Sequence, residues 1–393
     1  MPPRQPDGEP APADGSLPDE ALATLRDGPF GVYVHVPFCV TRCGYCDFNT
    51  YTSGDRPGFV RAAIAEVELA ARVLGDAARP ADTVYLGGGT PTLLDPADLG
   101  SILRAIDDRL GLAADVEISV EANPDTVDRA ALEALRAAGV TRISFGVQSV
   151  RPHVLAALDR RHDAERALAA IGEARAAGFE HISADLIYGT PGESAGDWAA
   201  SLDAVLAAGV DHVSTYGLTV EPGTRLAARV RRGELPEPDP DAMADRYLAA
   251  DARLTAAGLE WYELASWARD EAARCRHNLG YWRSGAWWGV GPGAHSHVGG
   301  VRWWNVLHPA EHATRVAAGR SPARARERLD AEARRLERLM LELRLADGLD
   351  TSLAAAGAVD GLVADGLLER RGRRMRLTLR GRLFADAVAR RLA

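Results

Sequence analysis

Six times between residues 31 and 218, a short β-branched run is followed by a stretch with helical periodicity. The runs are 31–36, 83–86, 117–122, 142–147, 181–187 and 212–218. Between them apolar residues recur three and four apart, as at Val60, Ile64, Val67 and Ala71, and at Leu99, Ile102, Leu103, Ile106 and Leu110. Such alternation predicts an α/β fold in which a parallel sheet is built through right-handed crossovers. Six units are two short of a closed eight-stranded barrel, so the expected sheet curves into an open one.

In α/β barrels the chemistry sits at the C-terminal edge of the strands. The chain's unusual motifs fall there. Cys39, Cys43 and Cys46 form a C-x3-C-x2-C loop directly after the first strand. Gly87-Gly88-Gly89-Thr90-Pro91-Thr92 follows the second, and Glu121 ends the third. Gln148 ends the fourth strand and Asp185 lies in the fifth.

Three cysteines are the wrong number for structural zinc, which usually takes four ligands from paired knuckles, and the only other cysteine, Cys275, lies far downstream. Four cysteines in 393 residues make no disulfide framework. A [4Fe–4S] cluster held by three thiolates leaves one iron without a protein ligand, free to bind something else. The glycine run is weaker evidence: such a turn binds phosphate, binds a dinucleotide or simply turns tightly, and here it lacks a phosphate loop's lysine.

Composition removes other classes. The chain has no lysine, which excludes Schiff-base catalysis and pyridoxal phosphate attachment. A net charge of −9 gives no footprint for nucleic acid. No apolar run approaches the roughly 20 residues of a membrane span, and the N-terminus lacks a signal peptide's order, so a cytoplasmic location is expected. Residues 1–28, rich in Pro, Gly, Asp and Ala, are expected to be a disordered tail. Further expected units are a barrel at 29–230, an extension at 231–310 and a C-terminal domain at 311–393. That last unit has Leu336, Leu339, Met340, Leu343 and Leu345 in a helical stretch, then helix, short hairpin and helix.

The cysteine loop and the Gly-Gly-Gly-Thr-Pro element together resemble the radical S-adenosylmethionine (SAM) enzymes, whose fold is a partial (β/α)6 barrel. The resemblance implies that SAM is chelated by the open iron and that Gly88, Gly89 and Thr90 receive its aminoacyl end. In the coproporphyrinogen-dehydrogenase-like branch, Glu121, Gln148, Arg160 and Asp185 match SAM-binding positions, Arg160 pairing with the SAM carboxylate and Asp185 holding the ribose. Asp159 stands where the branch's pattern has glycine. Tyr33 and Tyr45 would cover the cluster or adenine, or else pack as ordinary core, and Gly217 would give adenine close backbone access.

Two further stretches narrow the branch. His277, Asn278, Tyr281 and Trp282 resemble the His-Asn-x-x-Tyr-Trp pattern of HemW-type heme chaperones, which makes His277 a candidate heme ligand and His295, in a glycine-rich turn, its rival. Cys275 would ligate heme or lie inert. The dehydrogenases carry another cysteine two residues past the third cluster ligand, where this chain has Phe48. They also carry an ordered N-terminal extension. Both contrasts favour the chaperone, with heme, apo-hemoproteins and a low-potential electron donor as partners. Oxygen-independent coproporphyrinogen III dehydrogenase is the alternative, and a cluster protein with only an electron-transfer or regulatory role is a third class. The C-terminal unit resembles a winged-helix-like cap whose arginine-rich face is solvated or docks a partner.

Overall fold

A computed structural model describes residues 5–26, 28–355 and 357–393. Strand β1 (Glu9–Pro10) precedes the six predicted ones: β2 (Phe30–Val36), β3 (Ala81–Gly88), β4 (Leu112–Ala122), β5 (Arg142–Gln148), β6 (His181–Tyr188) and β7 (His212–Gly217). β2 to β7 lie side by side in sequence order, and each pairs in parallel with the next. Helices Arg56–Leu74, Pro96–Leu110, Arg129–Ala137, Ala164–Ala176 and Ala195–Ala207 make the crossovers. Each begins where a side-chain oxygen accepts a backbone N–H of its own first turn: Asp55, Asp95, Asp128, Asp163 and Ser194. Those donors would otherwise be orphaned.

The two faces of the barrel strands differ. Outward residues such as Val32, Val34, Val84, Leu86, Val120, Ile143, Phe145 and Leu186 are buried under the helices. The register puts Tyr33 beside Tyr85, Glu121 beside Ser144 and Asp185 beside Ser214 on the other face. Side chains alternate along a strand, so one face makes the core and the other lines a polar lumen.

The sheet extends well past those six strands. β8 (Glu260–Glu263) and β9 (Ser266–Ala268) add antiparallel strands beside β7. On the other side β10 (Ala286–Val290) lies parallel to β2, followed by antiparallel β11 (His295–Val298), β12 (Val301–Asn305) and β13 (Ala323–Arg328). Among the described residues the result is a 13-stranded sheet with β1 and β8 at its edges, so the barrel is open.

Three expectations about organisation need correction. Residues 1–4 and 27 lie outside the described residues, but the rest of the N-terminal segment is built into the fold: β1 pairs with β13, Ser321 N–H donates to Ala13 O, and Ala21 and Leu25 are each 1% exposed. Its few aliphatic residues suffice because β13 supplies an unpaired edge whose backbone groups need partners. Residue 231 is no core boundary, since Tyr247, Ala250 and Leu254 belong to the main core. Nor is 311, because β13 belongs to the main sheet, and His312, in helix Pro309–Ala317, binds buried Glu66 of Arg56–Leu74.

The small domain starts with helix Ala331–Glu342. Its separate core gathers Leu339, Leu343, Leu349, Leu362, Met375, Val388 and Leu392. Strands β14 (Leu349–Asp350), β15 (Leu368–Arg371) and β16 (Arg374–Leu377) form its sheet in the order β14-β16-β15, with helices Ala358–Ala364 and Ala385–Leu392 packed alongside. This is the winged-helix-like α+β cap. Among the described residues no helix is long and apolar enough to cross a membrane.

Candidate functional site

The cysteine loop leaves β2 and crosses the C-terminal rim. Its backbone is fixed at both ends: Cys39 N–H donates to Tyr51 O, Tyr51 N–H to Pro37 O and Gly44 N–H to Leu158 O. Asn49 staples the loop to the glycine-rich turn through Nδ2, which donates to Pro292 O (3.0 Å) and Leu307 O (2.9 Å). Cys39, Cys43 and Cys46 are partly exposed and free of disulfides. Burial pushes the Cys46 thiol up to about 11, and the thiols of Cys43 and Cys39 add to it. Cys43 and Cys39 thus lie near enough to Cys46 to oppose its ionisation. Among the described residues no three His, Cys, Asp or Glu side chains converge on a single metal ion. Three neighbouring thiols on one rim loop suit a cluster, in which three of the four irons take one thiolate each.

The glycine run has a reason within the fold. A Cβ on Gly89 would lie 2.5 Å from Phe38 O, and one on Gly88, whose φ is +110°, would lie 2.6 Å from His35 Nδ1. Side chains there would drive the β3 turn away from the cysteine loop. With none, Thr90 N–H donates to Phe38 O (2.7 Å), and Thr90 Oγ1 reaches Cys39 Sγ (3.8 Å).

The polar set expected from β4, β5 and β6 does face one lumen. Glu121 accepts from Tyr85 OH (2.9 Å) and Gly88 N–H (3.1 Å). Burial, then the charge of Asp185, pushes its carboxyl up to about 7. Asp185 accepts from Ser144 Oγ (2.8 Å), and burial pushes it up to about 6. Arg160 donates to Gly146 O (2.6 Å) and reaches Cys43 Sγ (3.5 Å). Gln148, held at φ +63°, has a buried Oε1 without a hydrogen-bond partner, as does Arg160 Nε. Both atoms are thus available to pair with a ligand in the lumen. Asp159 has a φ of +55°, which explains why glycine suits that position and why aspartate, tolerant of left-handed backbone, replaces it. Its carboxylate pairs with Arg225 (3.4 Å), and Arg160 keeps its aim at the rim.

Three other candidates have structural duties. Tyr33 OH bonds His35 Nδ1 (2.9 Å) in the lumen wall. Tyr45 packs against an apolar cluster of Val154, Leu158, Ile187, Leu218 and Leu226. Gly217 packs closely on its neighbours: a Cβ would lie 2.8 Å from Met243 Cε, the mobile end of a flexible side chain, and 3.2 Å from Tyr188 OH.

His277 is not where a rim ligand would be. Helix Arg276–Trp282 plugs the N-terminal mouth of the barrel, opposite the cysteines. The backbone N–H groups of Arg276 and His277 donate to Glu117, which also pairs with Arg142 (3.3 Å). His277 Nδ1 bonds Thr83 Oγ1 and Nε2 bonds Tyr281 OH, both at 2.8 Å. Burial pulls its imidazole down to about 3. With both nitrogens engaged, His277 is a core residue in this structure, and Cys275, 3% exposed, lies beside Glu117. His295 differs. It is exposed, stacks on Trp304 at 5.9 Å, and its ring makes no hydrogen bond among the described residues.

Sequence reading missed Tyr85, Thr83, His35, Asn49 and Glu117. The first four occupy strand and loop positions that look ordinary. Glu117 opens a predicted strand on its inward face, a signal that the period-2 pattern contained.

Comparison with known proteins bears on the same residues. The model of the "Radical SAM superfamily" matches residues 33–205. A protein of Mycobacterium tuberculosis (strain ATCC 25618 / H37Rv) named "Heme chaperone HemW" is 52% identical over 381 residues, covering 94% of this chain and 96% of that one. The chain belongs to the HemW family of radical SAM proteins. The HemW of Bacillus subtilis (strain 168) is 32% identical, over 91% of this chain and 97% of its own. In fold, the chain is similar to coproporphyrinogen III oxidase (HemN) from Escherichia coli, with a TM-score of 0.82, 24% identity, and coverage of 97% and 94%. Membership of the radical SAM superfamily implies a [4Fe–4S] cluster and SAM, and the thiols and polar lumen fit both.

The two lumen carboxyls give a pH prediction. Both stay protonated in the fold at pH values where the unfolded chain has ionised them. The native state therefore binds more protons, and stability falls as pH rises from Glu121's ordinary 4.5 to about 7. Glu121→Gln should flatten that slope in denaturant midpoints measured from about pH 5 to pH 8. An unchanged slope would show that Glu121 does not titrate in this range.

Proposed function

We propose that this chain is a heme chaperone of the radical SAM type, which binds heme and passes it to apo-hemoproteins. The 52% identity to "Heme chaperone HemW" along nearly the whole chain carries this reading. Phe48 supports it, since an apolar ring 53% exposed stands where the dehydrogenases have a further cysteine. Cys39, Cys43 and Cys46 would hold the [4Fe–4S] cluster, which supplies an electron to SAM when bound. Arg160, at the rim, offers a guanidinium to the SAM carboxylate, and Gln148 Oε1 an acceptor to its ammonium. Asp185 suits a ribose hydroxyl, and Glu121 holds a proton over the same lumen. A low-potential electron donor and a cytoplasmic location complete the reading. His295, with a free ring, and His277, once Tyr281 releases it, are the candidate iron ligands.

The test is anaerobic reconstitution with iron and sulfide, then parallel assays of heme titration and SAM-dependent coproporphyrinogen III conversion. Near-stoichiometric heme binding without porphyrinogen turnover is expected. Turnover without specific heme binding would overturn the proposal in favour of the dehydrogenase.

A further inference from the structure

Glu66 lies midway along helix Arg56–Leu74 and is 1% exposed, on a face that otherwise buries Phe59, Ala63, Val67 and Ala70. A carboxylate is costly there unless donors surround it. It has three. Oε2 accepts from Gly291 N–H and from His312 Nε2, both at 2.6 Å, and Oε1 accepts from Asn305 Nδ2 at 2.7 Å. Asn305 Nδ2 also donates to Gly291 O (2.9 Å), which ties those two segments to each other. Buried ionic groups seldom outdo apolar residues of similar volume in stability. What such a group adds is a fixed position.

The segments that Glu66 holds are the ones that grip the cysteine loop. Asn49, 4% exposed and three residues past Cys46, donates from Nδ2 to Pro292 O (3.0 Å) and to Leu307 O (2.9 Å). Tyr51 OH donates to the same Leu307 O (3.0 Å). Pro292 follows Gly291, and Leu307 lies two residues past Asn305, so Glu66 and Asn49 hold one pair of segments between them. The fit is close: a Cβ on Gly291 would lie 2.6 Å from His35 O, and one on Gly293 would lie 2.7 Å from Asn49 Nδ2. His35 Nε2 in turn donates to Asn49 O (2.9 Å).

We propose that Glu66, with His312 and Asn305, is a positioning residue for the iron–sulfur cluster: acting through the two segments and Asn49, it fixes where Cys46 presents its sulfur, and so how tightly the cluster binds SAM. The inference rests on the assignment of the cluster to the cysteine loop. An iron is carried by its thiolate, so a loop that shifts takes the iron with it. Groups that orient a metal's ligands typically change its affinity or activity by about ten- to a hundredfold when they are lost.

Two variants break this connection at different points. Asn49→Ala cuts the link to the loop and leaves Glu66 with its three donors, whereas Glu66→Gln keeps the side chain's shape and gives up one acceptor oxygen. In the full chain, reconstituted anaerobically with iron and sulfide, both should take up a complete cluster. Each should bind SAM about tenfold more weakly than wild type in equilibrium dialysis, and each should alter the EPR signal of the dithionite-reduced cluster before SAM is added. The double variant should be no weaker than the weaker single one, because the two residues act in series. If Glu66→Gln does not fold, His312→Leu, which removes one donor and leaves the carboxylate, takes its place. Wild-type SAM affinity and EPR signal in the single variants, with only the urea midpoint lowered, overturn the proposal, since the network then serves the fold alone. Losses that multiply in the double variant overturn it as well. A wild-type chain that takes up no cluster defeats instead the assignment of the cluster to the loop.

Discussion

Replacement of Cys39, Cys43 or Cys46 by alanine is expected to abolish the iron–sulfur chromophore, with iron and sulfide falling to background after anaerobic reconstitution. A cluster held by three protein thiolates has no ligand to spare, and an iron deprived of its thiolate is open to solvent. No fourth thiol can substitute, because Cys275 is buried beside Glu117 at the opposite mouth. The Cys275→Ala variant should accordingly keep full iron and sulfide, which separates loss of a ligand from loss of any thiol. The chain should still fold, since the loop's anchors are backbone bonds from Cys39, Gly44 and Tyr51 and side-chain bonds from Asn49. Retention of a full cluster in any of the three single variants would remove the loop from its assigned role.

Glu117→Ala is expected to cost about 3–5 kcal/mol of folding stability, the range for removing one partner of a buried ion pair. Glu117 is 7% exposed and serves four groups at once: Arg142, the Cys275 thiol and the backbone N–H groups of Arg276 and His277. Its loss leaves the Arg142 guanidinium, 2% exposed, without its carboxylate, and unfastens the helix that plugs the barrel. Glu117→Gln keeps an acceptor for one of those donors and should cost less. Urea denaturation of wild type and both variants checks the order. A cost below about 1 kcal/mol for Glu117→Ala would mean that the plug is held by packing alone.

Much of the barrel was legible because local rules and global fold agree. The six parallel strands contain the β-branched runs, and each of the five helices begins at an Asp or Ser that caps it. The inward positions of Glu121 and Asp185 follow from the period-2 alternation. Other features were not legible. β10 is a five-residue strand that pairs with β2, more than 250 residues earlier, and nothing local announces such a partner. The His277 pattern reads as a ligand in sequence because an imidazole's availability depends on what its nitrogens touch. Here they touch Thr83 and Tyr281. The N-terminal segment is poor in aliphatic residues, yet it is ordered by an edge strand that lies over 300 residues away.

By itself the sequence determined the repeating strand–helix unit, the cysteine loop and the rim on which the polar groups gather, since each depends on neighbours within a few residues. Tertiary structure alone decided which of those groups are free to act. It left Gln148 Oε1 and Arg160 Nε without partners and committed His277 and Cys275 to the plug. The physical reason is that burial and hydrogen-bond partners are set by residues far apart in the chain, and these decide whether a polar side chain is spent on the fold or remains available to a ligand.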